Sequence, residues 1–125
     1  DQAALAMLNA IVHPAVNQRS MERIQDALAS GPNTVVIYDI PLLVKVRPED
    51  PWDLVVVAEA PAATRVQRLV TERGLSEADA EARVASQVSD ETRRAIADVI
   101  IDTTGTLADT QRQVDELWER VATLA

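Results

Sequence analysis

Apolar residues spaced three and four apart along much of the chain predict helices. The first predicted helix covers Ala3–Val12, and a second begins near Pro14 and ends at Gly31, which precedes a proline. Four more helices are predicted by the same spacing together with start signals, and they begin at Pro61, Ser76, Ser89 and Thr106. Gly74 is expected to end the helix that starts at Pro61, and the helix that starts at Thr106 ends near Leu124.

Three continuous apolar runs predict strands that are covered on both faces, because they lack the polar alternation of a half-exposed strand. They are Thr34–Leu43, Leu54–Ala58 and Val99–Ile101. Strands that alternate with helices indicate a parallel sheet with right-handed crossovers, so we predict an α/β fold. Between the first two strands, Lys45–Asp53 reads as a charged, proline-containing loop.

Composition narrows the classes of partner. The chain has 125 residues, the usual size of one domain. It lacks cysteine, which excludes disulfides and thiolate metal sites. A net charge of −8 and an aromatic content of 2% argue against a nucleic-acid partner, which needs a basic face or stacking rings. No apolar run approaches the length of a membrane span, so we expect no membrane partner.

Asp39 follows the apolar part of the first predicted strand, at the edge where open α/β sheets bind their ligands. In a phosphate-handling protein an acid at this position holds Mg²⁺ through water. The alternative is a strand-end acid that caps the following turn.

Six arginines are the second candidate feature, and they are Arg65, Arg68, Arg73, Arg83, Arg93 and Arg94. Guanidinium groups match phosphate oxygens and could close over a polyphosphate. Arginines at helical spacing among acids more often form a solvated face with ion pairs, and spacing alone favours that interpretation.

His13 and Gly105 each allow two interpretations. His13 stands before a proline at a predicted helix junction, where it either packs or contacts a substrate, and no neighbouring ligand makes it a metal site. Gly105 follows the third predicted strand, where it either lies against a ligand ring or forms a turn capped by Thr106.

Four segments in register resemble the dephospho-CoA kinases, in particular the actinobacterial ones. They are LNAIVHP at 8–14, DIPLLV at 39–44, the Gln67-Arg68-Leu69 helix that ends in ERG, and RVASQVSDETRRAIADVIIDTTG at 83–105. The resemblance implies a cytoplasmic P-loop kinase that acts in the last step of coenzyme A biosynthesis. Such a kinase transfers the γ-phosphate of ATP, with Mg²⁺, to the ribose 3′-hydroxyl of dephospho-CoA.

The resemblance also implies a division of the chain. Residues 1–32 are similar to part of a helical substrate domain, 33–60 to core strands, 61–97 to lid helices, and 98–125 to a core strand and the C-terminal helix. The implied fold is a truncated P-loop kinase-type parallel sheet with three strands in this chain.

Roles for single residues follow from the same resemblance. Arg68, Arg93 and Gly105 correspond to ATP-binding positions, and Arg94 gains no role and is expected to be a surface residue. His13 and Leu42 correspond to substrate-binding positions. Asp39 lies beside the reaction centre, near the magnesium ion and the transferred phosphate, and no residue is implied as a direct metal ligand.

Three departures from the family pattern shape our expectations. These residues contain no GxxxxGK[ST] phosphate loop, so we expect the family's N-terminal part to be missing and the chain alone to be inactive. We also expect an uncovered sheet edge that favours self-association. Lys45 stands where the family usually has Glu, and Thr103 replaces the customary Asn of the turn beside adenine.

Two other classes of function stay open from the sequence. One is a non-catalytic interaction domain that keeps the family scaffold, which the departures at Lys45 and Thr103 would suit. The other is a receiver-type signalling domain with Asp39 as phospho-acceptor, although the chain lacks the acidic pair and the lysine that such a domain needs.

Overall fold

The structure is a computed structural model that describes residues 1–40 and 52–123. The described residues divide into two compact units, the first comprising Asp1–Asp39 and Thr123 and the second those between Ile40 and Ala122. Leu42 and Lys45, which the sequence singled out, lie outside the described residues.

The first unit is built on one long helix, α1, which covers Gln2–Leu28. Asp1 caps its start, because the carboxylate accepts a hydrogen bond of 2.9 Å from the N–H of Ala3. The prediction of two helices separated at Pro14 is wrong, since Pro14 lies inside α1. A proline removes one backbone hydrogen bond, and the helix-forming residues on both sides continue the helix across that gap.

After α1 the chain has no regular secondary structure over Thr34–Ile40. The Tyr38 hydroxyl donates a hydrogen bond of 2.8 Å to Ser20 of α1, whereas Ile37 is 83% exposed. The predicted first strand is therefore not formed in this part, and its last residues, 41–43, lie outside the described residues. An apolar run becomes a strand only where another backbone pairs with it, and no described backbone does so here.

The second unit contains two parallel strands among the described residues, β1 (Val56–Glu59) and β2 (Val99–Asp102). This confirms the α/β class and the parallel pairing, with two strands found where three were predicted. The register places Glu59 opposite Asp102, so both strands end on an acid at one edge. We call this edge, where both chains leave the sheet, the carboxyl edge.

Four helices complete the second unit, and they are α2 (Ala62–Arg73), α3 (Glu77–Ala85), α4 (Asp90–Ala95) and α5 (Leu107–Ala122). All four predicted starts are confirmed, and three of them carry side-chain caps, whereas Pro61 begins α2 without one. Ser76 accepts a hydrogen bond from the N–H of Asp79 at 3.2 Å, and Ser89 accepts one from the N–H of Thr92 at 3.1 Å. Gly74 ends α2 with φ 68°, the left-handed conformation that glycine adopts without strain.

Few side chains of the described residues are buried, and all of those belong to the second unit: Glu59, Ala60, Ala80, Val84 and Ile101. The helices within residues 1–40 and 52–123 include none with the length and apolar character needed to cross a bilayer.

Candidate functional site

The carboxyl edge is fastened by Thr103, the residue that follows β2. Its backbone N–H donates to the carbonyl oxygen of Glu59 at 2.8 Å, and its hydroxyl donates to the same oxygen at 2.9 Å. One residue therefore closes the ends of both strands with two hydrogen bonds.

Arg68 of α2 reaches the same point. Its Nη1 donates to the Thr103 hydroxyl oxygen at 3.3 Å, and its Nη2 donates to the Thr103 carbonyl oxygen. Helix α2 begins soon after β1 ends, and Arg68, on its second turn, lies beside the exit of β2. The structure thus brings a predicted ATP-binding arginine to the edge where parallel sheets bind ligands. Its partner Thr103 lies two residues before Gly105 in the sequence.

Glu59 and Arg94 form an ion pair that joins β1 to α4. Glu59 is 7% exposed, and Nε of Arg94 lies 3.0 Å and 2.9 Å from its two carboxylate oxygens. The hydrogen bond to Glu59, and then the negative charge of Glu59, raise the pKa of Arg94 above its ordinary value. Arg94 is exposed, as expected of a surface residue, and the contact adds a role that the sequence did not predict, because a buried carboxylate needs a cation.

A second cluster joins α2 to α4 through Asp90. Its Oδ1 accepts a hydrogen bond from Nη2 of Arg65 at 2.6 Å and another from Nη2 of Arg93. Arg93 also donates to the carbonyl oxygen of Val88 at 2.6 Å. Pairing with nearby acids, the alternative that spacing favoured, thus describes Arg65 and Arg93. Arg68 differs, because it has no carboxylate partner among the described residues.

A groove of about 220 Å³ separates α2 from α3 and carries several positive charges. Its charged lining consists of Arg65, Arg68, Arg73, Arg83 and the single acid Glu72. Excess guanidinium groups around an open groove suit an anionic ligand with several oxygens, such as a polyphosphate.

The turn at Gly105 is explained by the start of α5. The N–H of Thr106 donates to Oδ2 of Asp109 at 2.9 Å, and the N–H of Asp109 donates to the Thr106 hydroxyl at 3.2 Å. A Cβ at Gly105 would lie 2.9 Å from Oδ2 of Asp109, so this cap leaves no space for a side chain. The interpretation as a turn capped by Thr106 therefore accounts for the glycine, and its contact with adenine stays a prediction.

Two acids of this turn have lowered pKa values. The Thr104 hydroxyl, 2.6 Å from Oδ1 of Asp102, and then the Thr104 N–H lower the pKa of Asp102. The Thr106 hydroxyl, then the Thr106 N–H and the charge of Arg112, lower the pKa of Asp109. Both carboxylates stay ionised at neutral pH and hold the backbone of the turn.

The remaining predicted residues belong to the first unit. His13 lies inside α1 rather than at a helix junction, and Asp39 lies in the segment Thr34–Ile40 that follows α1. Both side chains are exposed, and neither hydrogen-bonds to another described residue. Within residues 1–40 and 52–123, no three histidine or acidic side chains group closely enough to hold a metal ion by themselves.

Sequence reasoning missed Glu59 and its partner, although a signal was present. Glu59 is the first acid after an unbroken apolar run, which places its carboxylate at the end of a buried strand. A carboxylate at such a position needs a cation as its partner. Which of the arginines would supply that cation depends on the crossover, which the sequence does not specify.

Parallel strands, with arginines gathered at their carboxyl edge and in the neighbouring groove, define an α/β protein suited to phosphate-bearing ligands. The comparison with protein families is more specific, because the model of the dephospho-CoA kinase family matches residues 1–109. The chain belongs to the dephospho-CoA kinase family.

Individual relatives agree with this assignment. The chain is 52% identical over 118 residues to a dephospho-CoA kinase of Leifsonia xyli, covering 94% of this chain and 60% of the relative. It is 43% identical over 121 residues to the one of Thermobifida fusca, covering 97% and 59%. It is 44% identical over 126 residues to the one of Mycolicibacterium paratuberculosis, covering 100% and 30%. The chain thus spans less than two thirds of the length of these relatives, and the match favours neither a receiver-type domain nor an interaction domain.

Proposed function

We propose that the gene product that carries these residues is a dephospho-CoA kinase of the cytoplasm. It transfers the γ-phosphate of ATP to the ribose 3′-hydroxyl of dephospho-CoA. The observation that carries the proposal is Arg68, a guanidinium without a carboxylate partner among the described residues, held at the carboxyl edge and lining the arginine groove. Family membership supplies the identity of the phosphate donor and acceptor.

The reaction forms a bond between the 3′-oxygen and the γ-phosphorus while the bond to the bridging oxygen of ADP breaks. The hydroxyl proton leaves to a base, which the family resemblance places in its P-loop part. Because such a transfer depends on positioning and on neutralising the charge of the phosphate oxygens, the contribution of this chain is electrostatic. Arg68 binds the polyphosphate, and the groove arginines add positive charge around it.

In the first unit, Asp39 is the residue whose chemistry fits a magnesium ion. Mg²⁺ keeps several waters and needs only one or two protein carboxylates when phosphates supply the other oxygens. The Asp39 carboxylate is exposed and has no hydrogen-bond partner among the described residues, so it is available to hold the ion through water. When bound, the ion would neutralise phosphate charge, and Asp39 would orient it. His13 and Leu42 are proposed to contact dephospho-CoA.

For Arg93 and Gly105 the contacts with ATP are part of the same proposal. Arg93 keeps its Nε free of described partners while Asp90 and Val88 hold its two other nitrogens. The division into substrate-domain, core and lid segments, and self-association through a sheet edge, stay predictions.

The test measures transfer of labelled γ-phosphate from ATP to dephospho-CoA by the gene product, with Arg68→Gln and the control Arg19→Gln. Losing the phosphate contact is expected to raise the KM for ATP about tenfold or more. The exposed Arg19, paired with Glu22 at 3.1 Å on α1, is expected to be replaceable without effect on that KM.

Two outcomes would contradict the proposal. The first is a gene product that binds dephospho-CoA but transfers no phosphate, which would favour the non-catalytic interaction domain. The second is an unchanged KM for ATP in Arg68→Gln. The 125 residues assayed alone are expected to give no turnover, because they contain no phosphate loop.

A further inference from the structure

We propose that Thr103 is a positioning residue for Arg68, which it holds at the carboxyl edge in the orientation that binds a polyphosphate. The inference rests on the proposed function of Arg68 and gives Thr103, which the resemblance places only in the turn beside adenine, a role toward that arginine. It also gives a physical purpose to a threonine at a position where the sequence pattern leads one to expect asparagine.

The two partners of the Thr103 hydroxyl fix the direction of both of its hydrogen bonds. A hydroxyl has a single proton, and here it is donated to the carbonyl oxygen of Glu59, which can only accept. The lone pairs of the same oxygen are therefore free to accept from Nη1 of Arg68, which can only donate. The hydroxyl thus connects the end of β1 to the guanidinium of α2 in a fixed direction.

The guanidinium is held on one side and left open on the other. Thr103 uses one N–H of Nη1 and one of Nη2, out of the five that a guanidinium carries. Three N–H groups of Arg68 consequently have no hydrogen-bond partner among the described residues. They are available for the oxygens of a phosphate chain.

Holding the side chain in advance is what gives this arrangement a function. A free arginine loses rotamer entropy when it binds an anion, and a guanidinium that is already ordered loses less. Removing the hydroxyl is expected to leave the strand ends paired, since the Thr103 N–H still bonds to Glu59 at 2.8 Å. The bond from Nη2 of Arg68 to the Thr103 carbonyl also remains, so the change removes one of the two hydrogen bonds that fix the guanidinium and loosens Arg68 without opening the sheet.

The experiment compares Thr103→Val, which keeps the shape but lacks the hydroxyl, with Thr103→Ser, which keeps the hydroxyl. Thr71→Val is the matched control, because Thr71 lies on α2 and the one described partner of its hydroxyl is the carbonyl of Gln67, at 2.9 Å. The first measurement is the ¹⁵N relaxation of the Arg68 Nε–Hε group in the gene product, assigned by its loss in Arg68→Lys. The second is the Kd for tripolyphosphate.

In Thr103→Val we expect the order parameter of Arg68 Nε–Hε to fall to about 0.6 or below, the range of flexible groups. We expect the Kd for tripolyphosphate to rise about tenfold. Thr103→Ser should restore both values, and Thr71→Val should change neither. An Arg68 as ordered in Thr103→Val as in the parent would overturn the inference, and so would a failure of Thr103→Ser to restore that order.

The two proposals fail in different ways. If Arg68→Gln binds tripolyphosphate as tightly as the parent, the proposed function of Arg68 is wrong, whatever the relaxation data show. If Arg68→Gln weakens binding but Thr103→Val changes neither order nor affinity, the function stands and the positioning by Thr103 is wrong.

Discussion

The two units of this chain differ in where they place apolar side chains, which are exposed on α1 and partly buried in the second unit. Helix α1 extends over 27 residues and buries none of them, and apolar side chains such as Leu8 and Ile11 are exposed. The second unit buries Ile101 and Ala80, and hydrogen bonds between residues far apart in the sequence join its elements. Local signals are thus enough to form a helix, but a positioned side chain needs a partner from a distant part of the sequence.

The largest expected effect compares an apolar truncation in each unit. Ile101→Ala removes a side chain that is 5% exposed in β2, and we expect it to lower the free energy of unfolding by about 3 kcal/mol. Leu8→Ala truncates a side chain that is 56% exposed on α1, and we expect a change below about 0.5 kcal/mol. Urea unfolding followed by far-UV circular dichroism measures both. Equal losses would mean that the apolar face of α1 is covered in solution.

The next effect compares an ion pair across the fold with one along a helix. Arg94→Gln leaves the buried Glu59 carboxylate without its cation, so we expect it to lower the midpoint of urea unfolding. Arg112→Gln breaks an exposed pair on α5 and should stay within about 0.5 kcal/mol of the parent. Similar midpoints for both variants would show that Arg94 contributes no more than an ordinary surface charge.

A smaller effect separates two glycines, one in each unit. Gly74→Ala forces a side chain onto φ 68°, and we expect a loss of about 1 kcal/mol from backbone strain alone, since no atom lies within 4 Å of the new Cβ. Gly31→Ala places its Cβ 3.7 Å from the Thr34 hydroxyl, an ordinary contact, and should be neutral or slightly stabilising. Thermal unfolding of the two variants checks the difference, which would vanish if α2 ended without the left-handed glycine.

The smallest expected effect is the pH dependence of the cap at α5. The pKa of Asp109 is lowered in the folded chain, so the unfolded chain binds more protons and the cap stabilises the fold at higher pH. The loss in Asp109→Asn should be complete above the ordinary aspartate value of about 3.9 and shrink as the pH falls below it. Urea unfolding from pH 7 to pH 3 measures this. Thr106→Val, which removes the first cause of the lowered pKa, should weaken the same dependence, and a loss that does not vary with pH would contradict it.

Much of the second unit could be predicted from the sequence because its signals are local. The caps at Ser76, Ser89 and Thr106 each lie three residues from the N–H that they bind, and Gly74 ends its helix by its own conformation. The strand runs were found within one or two residues. The break at Pro14 was wrong for a related reason: a local stop signal was outweighed by helix formers on both sides of it.

The candidate site was predicted only in part. Arg68 was identified as a phosphate ligand by resemblance, but its attachment to Thr103 joins residues 35 apart in the sequence, as does the pair of Arg94 and Glu59. The hydrogen bonds from Thr103 to Glu59 join residues 44 apart. No periodicity encodes such pairs, because they depend on which strand end the crossover brings alongside which helix.

The sequence by itself determined the family, and in the second unit the kinds of element and their approximate ends, since each of these is written in neighbouring residues or in motifs. Tertiary structure alone decided which arginine neutralises the buried Glu59, which are tied to Asp90, and which one is held by Thr103 with N–H groups left for a ligand. A guanidinium has the same intrinsic chemistry wherever it occurs. Whether it stabilises the fold or binds a phosphate depends on the acceptors that the folded backbone places within about 3 Å of it.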